Sequence, residues 1–193
     1  LTSGVAARGY ARSVPTKVTA YCGIHGSEPL ARGHYINGVS TVVCNTRLAL
    51  FSVTAGCKTL NRLEQVLARS EFAPDGAFEG LTLDADNRLI CGTISNVFIV
   101  ESGSISTPSL ERCGVEGIMR RHVLEVLAAS SLPVFVRDIG VSDLLSCDEV
   151  FLTNSQFGVL PVHRCGEKSW HEHPVTRKVT SNVSANNVAE CAQ

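Results

Sequence analysis

Two strand-like runs, residues 77–83 and 88–91, stand on either side of Asp84-Ala85-Asp86-Asn87. Asp and Asn satisfy nearby backbone donors and tolerate left-handed backbone, so the tetrapeptide reads as a turn and the pair as a hairpin. A third strand-like run, 97–101, ends at Ser102-Gly103-Ser104. Strands joined by turns this short pair antiparallel, which argues against a strict βαβ array. Helical spacing also occurs, over 59–72 (Leu60, Leu63, Val66, Leu67) and 117–129 (Ile118, Val123, Leu124, Val126, Leu127). The architecture expected is therefore α/β, with an α+β-like mixed sheet.

The remaining segments fit that class. Residues 18–22, 39–44, 134–136, 149–152 and 159–162 read as strands, 141–145 as a short helix, and 175–191 as a weak one. Residues 23–38 read as a loop or linker, being punctuated by Gly, Pro and His. With 193 residues, 44% apolar and 18% charged, the chain has a globular balance. A formal net charge of -1 argues against a broad nucleic-acid or anionic-membrane surface. The basic group Arg120-Arg121-His122 reads as a solvated helix face. No apolar run reaches bilayer-spanning length, and no leader pattern is visible. The opening at Leu1 rather than a methionine reads as a fragment or a processed product.

Cysteines stand at 22, 44, 57, 91, 113, 147, 165 and 191, with no C-x-x-C pair. That spacing favours free thiols used as small buried hydrophobes in a reducing, cytoplasmic setting over a zinc site or disulfide framework. His171-Glu172-His173, just before Pro174, reads as an exposed turn, and no metal is expected. No dinucleotide-binding or Walker-type glycine loop is present.

The residues with chemical potential are dispersed. Lys58 follows Gly56-Cys57 and precedes a helical pattern. Partial burial there would favour a deprotonated, imine-forming amine, whereas alone it reads as a solvent-facing lysine at a helix start. Gly117, Ile118 and Met119 open a helix, where free backbone N–H groups suit a phosphate. Asn154-Ser155 after a strand offers a hydroxyl and backbone donors, or only a turn. Arg8 and Tyr10 share a face in extended chain and suit a substrate carboxylate, although a surface arginine is the plainer reading.

In order, Lys58, Asn96-Val97-Phe98, Thr107 and Gly117-Ile118-Met119-Arg120 resemble the fold-type IV pyridoxal-phosphate enzymes, the class IV aminotransferase family. The likeness spans nearly the whole chain and fades after Gly166. Residues 58–65 (Lys-Thr-Leu-Asn-Arg-Leu-Glu-Gln) and Arg8-Gly9-Tyr10 are similar to its lyase branch, which acts on aminodeoxychorismate.

The resemblance implies a cofactor, pyridoxal 5'-phosphate, held covalently by Lys58. Gly117, Ile118, Met119, Asn154 and Ser155 would bind its phosphate, Asn96 and Cys91 would line its site, and Arg8 and Tyr10 would face the substrate carboxylate. It also implies a homodimer, without nucleic-acid or membrane partners. Residues 1–30 would be the remnant of a small N-terminal domain plus linker, and 31–193 the large cofactor-binding domain. Most of the small domain would then be missing.

Two departures stand out. Cys91 occupies the position where the family has the glutamate that pairs with the pyridine nitrogen. Ser3 occupies a position where arginine is common. Three functions stay open on the residues: the lyase, a branched-chain or D-amino-acid aminotransferase of the same fold, and a catalytically silent homologue that only binds or dimerises.

Overall fold

The structure, a computed structural model, describes all residues except 6, 7, 10, 12, 13, 27, 51, 52, 74, 75, 131 and 186–193. Its elements in chain order are α1 (Arg32–Asn37), β1 (Val39–Leu48), α2 (Leu63–Arg69), β2 (Glu79–Asp84), β3 (Leu89–Gly92), β4 (Asn96–Glu101), β5 (Ser104–Pro108), α3 (Ile118–Ala128), β6 (Val134–Arg137), α4 (Val141–Ser146), β7 (Glu149–Asn154), β8 (Gly158–Cys165), β9 (Lys168–Ser169) and α5 (Pro174–Ala185). Among the described residues the strands form one mixed sheet in the order β3-β2-β1-β8-β7-β4-β5-β6, with β9 paired to β8.

The hairpin turns do what their sequences require. Asp84 caps the first through its side chain, accepting the Asp86 and Arg88 N–H groups at 2.9 and 3.0 Å, and Asn87 takes φ 59°. In the second, Ser102 and Gly103 take φ 49° and 78°, which returns the chain as β5. Strand β5 is a strand that the pattern did not signal, because its Ser-Ile-Ser-Thr-Pro stretch is weak in apolar content. Among the named strands, parallel pairing joins β1 to β2 and β8, and β5 to β6.

Both faces of the central strands are buried, by alternation. Val97, Ile99, Val150, Leu152, Leu160 and Val162 enter one core, with Trp170, Ile139 and Leu144. Phe98, Val100, Phe151 and Val159 enter the other, with Met119, Val123 and Leu127 of α3 and Val179 and Val183 of α5. The Phe98 and Phe151 rings stack at 4.7 Å between centroids. Burying three apolar side chains at positions i, i+4 and i+8 fixes α3 on the sheet, each burial worth about 1.5–3 kcal/mol.

Several sequence expectations change. Residues 18–22 form no strand; Thr19 makes one isolated bridge to Thr2, and Val18 and Tyr21 are exposed. Strand-forming side chains did not suffice because no neighbouring strand pairs with them. Within 23–38, Arg32–Asn37 is helical rather than loop. The helix expected over 59–72 is only Leu63–Arg69, and its apolar residues do not face a core. Leu60, Leu63, Val66 and Leu67 are 81%, 69%, 61% and 50% exposed, and Ala68 is the buried contact.

Arg120 is buried, not solvated: it donates through Nε to Thr107 Oγ1 at 3.3 Å and through Nη2 to Pro108 O at 2.9 Å. Its guanidinium is held below its ordinary pKa by burial. His173 is buried too, which corrects the exposed-turn reading, although His171 and Glu172 are exposed. The C-terminal helix is described to Ala185, and the rest of 175–191 lies outside the described residues.

Candidate active site

Three loops meet at the ends of β3, β4 and β7, and each is tied down by one polar side chain. Glu79 on β2 is fully buried. Its carboxylate accepts the Thr93 N–H (3.0 Å) and hydroxyl (2.5 Å), the Ile94 N–H (3.1 Å), the Ser95 hydroxyl (2.7 Å) and the Gly80 N–H (2.9 Å). The turn after β3 therefore wraps a fixed negative charge. Asn96 donates through Nδ2 to Val115 O at 2.8 Å and accepts the Gly117 N–H at 3.1 Å, which shapes the approach to α3. Asn154 donates to Ile94 O and accepts the Gln156 N–H at 2.7 Å, joining the first loop to the turn after β7.

The segment carrying Lys58 is sewn to the same place by backbone. Gly56 N–H donates to Gly114 O at 3.0 Å, and Glu116 N–H donates to Gly56 O at 2.8 Å. Gly56 takes φ 77°, a conformation strained for any residue with a Cβ. These two bonds tie residue 56 to a segment about sixty positions on, and Lys58 and Gly117 then line one cavity.

Together these loops enclose a cavity of about 420 Å³. Lys58, Cys91, Asn96, Gly117, Ile118, Met119, Asn154 and Ser155 all line it. Lys58 is exposed, so the partial burial expected for it is not present; the cavity wall, not depth, defines its surroundings. It also does not open a helix, since α2 begins five residues later. Arg8 is exposed and does not line the cavity, and Tyr10 lies outside the described residues.

Each wall offers a different chemistry. Gly117 begins α3 without a side-chain cap, and a Cβ there would sit 2.2 Å from Asn96 Oδ1. The wall needs glycine for the close approach; Ile118 and Met119 of the first turn also line the cavity, and the first N–H groups of a helix lack intrahelical partners. Cys91 is buried, with its sulfur 3.6 Å from Thr82 Oγ1. Burial pushes its thiol up to about 11, so this wall carries a neutral S–H at neutral pH. The amides of Asn96 and Asn154 each give one N–H and one oxygen lone pair to backbone partners, which fixes their place on the wall and leaves one N–H on each. Arg62, Gln65, Thr93, Ser95 and Gln156 also line the cavity; the sequence marked Arg62 and Gln65 only as part of the 58–65 run and gave none of the five a site role. Glu79 was missed as well; a carboxylate in an otherwise apolar run was its signal.

Residues 3–165 match the family model described as amino-transferase class IV. The chain belongs to this family. Its curated class IV relatives include the aminodeoxychorismate lyase of Vibrio harveyi, 42% identical over 133 residues, 67% of this chain and 49% of that protein. A Thermotoga maritima protein assigned as a branched-chain-amino-acid aminotransferase is 34% identical over 149 residues, 75% of this chain and 54% of that one. Among solved structures, the 4-amino-4-deoxychorismate lyase of Pseudomonas aeruginosa superposes with a TM-score of 0.79 at 40% identity, covering 86% of this chain and 62% of that one. The chain spans about half the length of these curated class IV relatives. The mixed sheet expected from the sequence is thus the class IV fold. No helix among the described residues is long and apolar enough to cross a membrane, and no group of three or more metal-ligating side chains is found among them.

Proposed function

We propose that the chain carries the cofactor site of a pyridoxal-phosphate-dependent lyase that converts 4-amino-4-deoxychorismate to 4-aminobenzoate and pyruvate, a step of folate biosynthesis. One observation carries the reading: Lys58 shares a single cavity with the Gly117–Met119 turn and with Ser155. The residues present fit the cofactor at two ends. The glycine-tight, uncapped start of α3 suits a phosphate dianion, with Ser155 beside it. The Lys58 amine suits the aldehyde carbon.

When bound, the cofactor supplies an electron sink. This chain's residues do the remainder. Lys58 would hold the cofactor and move the substrate ring proton, and residues 117–119, Asn154 and Ser155 would anchor the phosphate. Cys91 and the loop around Glu79 would wall the ring. A neutral thiol at 91 holds a ring-nitrogen proton weakly, and release of an aromatic product makes the elimination downhill enough to tolerate that. The 42% and 40% identities to lyases support this branch over others. Arg8 and Tyr10 as substrate-carboxylate residues, residues 1–30 as a segment distinct from the 31–193 cofactor-binding domain, and a cytoplasmic setting belong to the same proposal.

A homodimer is part of the proposal too, without nucleic-acid or membrane partners. Its support is apolar: Ile94 and Ile118, on the cavity wall, are 60% and 70% exposed, and the outward face of α2 adds Leu63, Val66 and Leu67.

An aminotransferase of the same fold is the second reading, supported by the Thermotoga relative. A silent, binding-only chain is the third, supported by the exposure of Lys58. Mixing the protein with pyridoxal phosphate, reducing with borohydride and mapping the label separates these readings. A phosphopyridoxyl group on Lys58 alone, with pyruvate and an aromatic amine produced from aminodeoxychorismate, is expected. A new amino acid as product favours the aminotransferase, and absence of label at saturating cofactor favours the silent chain.

A further inference from the structure

Lys58 lies in a stretch without regular structure, between the bridge at Gly56 and the start of α2. An amine on such a stretch is poorly placed for attack unless its flanks are fixed, because misplacement of about 1 Å costs about a hundredfold in rate. The flanks on the helix side are fixed by one side chain. Arg62, the residue immediately before α2, turns its guanidinium back over the preceding loop. It donates through Nε to Thr59 O at 3.0 Å, and through Nη2 to Thr59 Oγ1 at 3.0 Å and Cys57 O at 3.3 Å. The acceptors therefore lie on both sides of residue 58. Arg62 and Lys58 also line the same cavity.

We infer that Arg62 is a positioning residue: its guanidinium brackets the backbone at 57 and 59 and sets where the Lys58 amine enters the cavity. A planar fork suits the task, because it satisfies diverging acceptors at once with little rotamer freedom left to lose. A lysine at 62 would reach one acceptor with a point charge and leave the others to water. The bracket is separate from the phosphate end, where the Gly117 turn is held by Asn96 and not by Arg62. The inference rests on the proposed cofactor chemistry for Lys58 in its catalytic consequence, but the bracket itself is a property of the chain alone.

The test compares wild type, Arg62→Gln and Arg62→Lys in three measurements. The first is the rate of borohydride-trapped pyridoxal-phosphate labelling at Lys58, in which amine and aldehyde join with loss of water. The second is the affinity for pyridoxine 5'-phosphate, which has the phosphate and ring but no aldehyde. The third is amide hydrogen exchange over residues 57–60 without ligand. Losing charge-assisted bonds of this kind should slow labelling about tenfold or more in Arg62→Gln, with partial recovery in Arg62→Lys and pyridoxine-phosphate affinity within about twofold. Exchange at 57–60 should rise in the same order. A parallel fall of labelling and pyridoxine-phosphate affinity overturns the inference, since Arg62 would then be supporting the whole cavity. Unchanged labelling and exchange overturn it as well. If wild type takes no label, the cofactor reading of Lys58 fails, and exchange at 57–60 alone decides the bracket: a rise keeps it, and no change removes it.

Discussion

Asn96 Oδ1 accepts the Gly117 N–H at 3.1 Å while Nδ2 of the same amide donates to Val115 O at 2.8 Å, so one side chain holds both ends of the turn that starts α3. Gly117 has φ -65°, an ordinary value, so its need for glycine is one of space: a Cβ would stand 2.2 Å from that Asn96 oxygen. Gly117→Ala should keep the fold but break this pair. Phosphate anchoring would weaken by about tenfold or more, the loss expected for one or two hydrogen bonds. Titration with pyridoxine 5'-phosphate measures it, and an affinity equal to wild type would show that the turn does not hold the anion.

Glu79 accepts five hydrogen bonds from inside the protein and has no solvent exposure. Glu79→Gln turns one acceptor oxygen into a donor that faces donors. A destabilisation of about 2–4 kcal/mol is expected, with the 93–95 loop loosened first. Urea unfolding followed by tryptophan fluorescence would report it through Trp170. A change below about 0.5 kcal/mol would mean that the loop holds without the charge.

Cys91 and Glu79 are close enough that the glutamate adds to the upward shift of the thiol, after burial itself. Cys91→Glu would place a second carboxylate beside the first. The variant without ligand should be less stable than wild type by about 2–4 kcal/mol. Pyridoxine 5'-phosphate should restore more stability to it than to wild type, because a protonated ring nitrogen would pair with the new charge. Thermal shifts with and without that ligand test both parts, and equal ligand-free stabilities would count against the buried-wall description.

Among the described residues five thiols are buried and shifted upward, chiefly by desolvation: Cys44, Cys113 and Cys147 to about 12, Cys91 to about 11, and Cys165 in the same direction. In the unfolded chain these thiols ionise near 9, so above that pH the unfolded state binds fewer protons than the folded one. Stability is therefore full below about pH 9 and falls as pH rises through 11 to 12, by up to about 1.4 kcal/mol per unit for each thiol. Urea midpoints measured from pH 8 to 10 should show this fall, and Cys113→Ala should make it shallower. The exposed Cys22 and Cys57 should alkylate quickly at pH 8 while the buried five do not.

His173 behaves oppositely. Burial lowers its pKa below the ordinary 6.5. The stability it contributes is present above that value and is lost as pH falls through the folded-state pKa, because the unfolded chain takes up the proton first. An NMR titration of the imidazole should give a midpoint below 6.5; a midpoint at or above it would refute the burial argument.

The amino-acid order by itself determined the hairpin around Asp84–Asn87, the helix α3 with Val123 and Leu127 on its core face (Met119, not the exposed Ile118, completes that face), and the alternation that buries both sides of β4, β7 and β8. Each is a local rule, a turn residue or a period, that needs no distant partner to be read. It also marked Lys58, Gly117 and Ser155 as chemically apt, and the cavity holds all three. What it could not decide was which apt residues are free to act. Asn96 and Asn154 are oriented by backbone partners 19 and 60 positions away in sequence, and Arg120 leaves the surface to bond Thr107 and Pro108. Residues 18–22 have strand chemistry and no strand, and the apolar face of α2 has helical spacing and no core. Pairing, burial and the commitment of a polar group are properties of two surfaces meeting, and only tertiary structure brings the second surface into place.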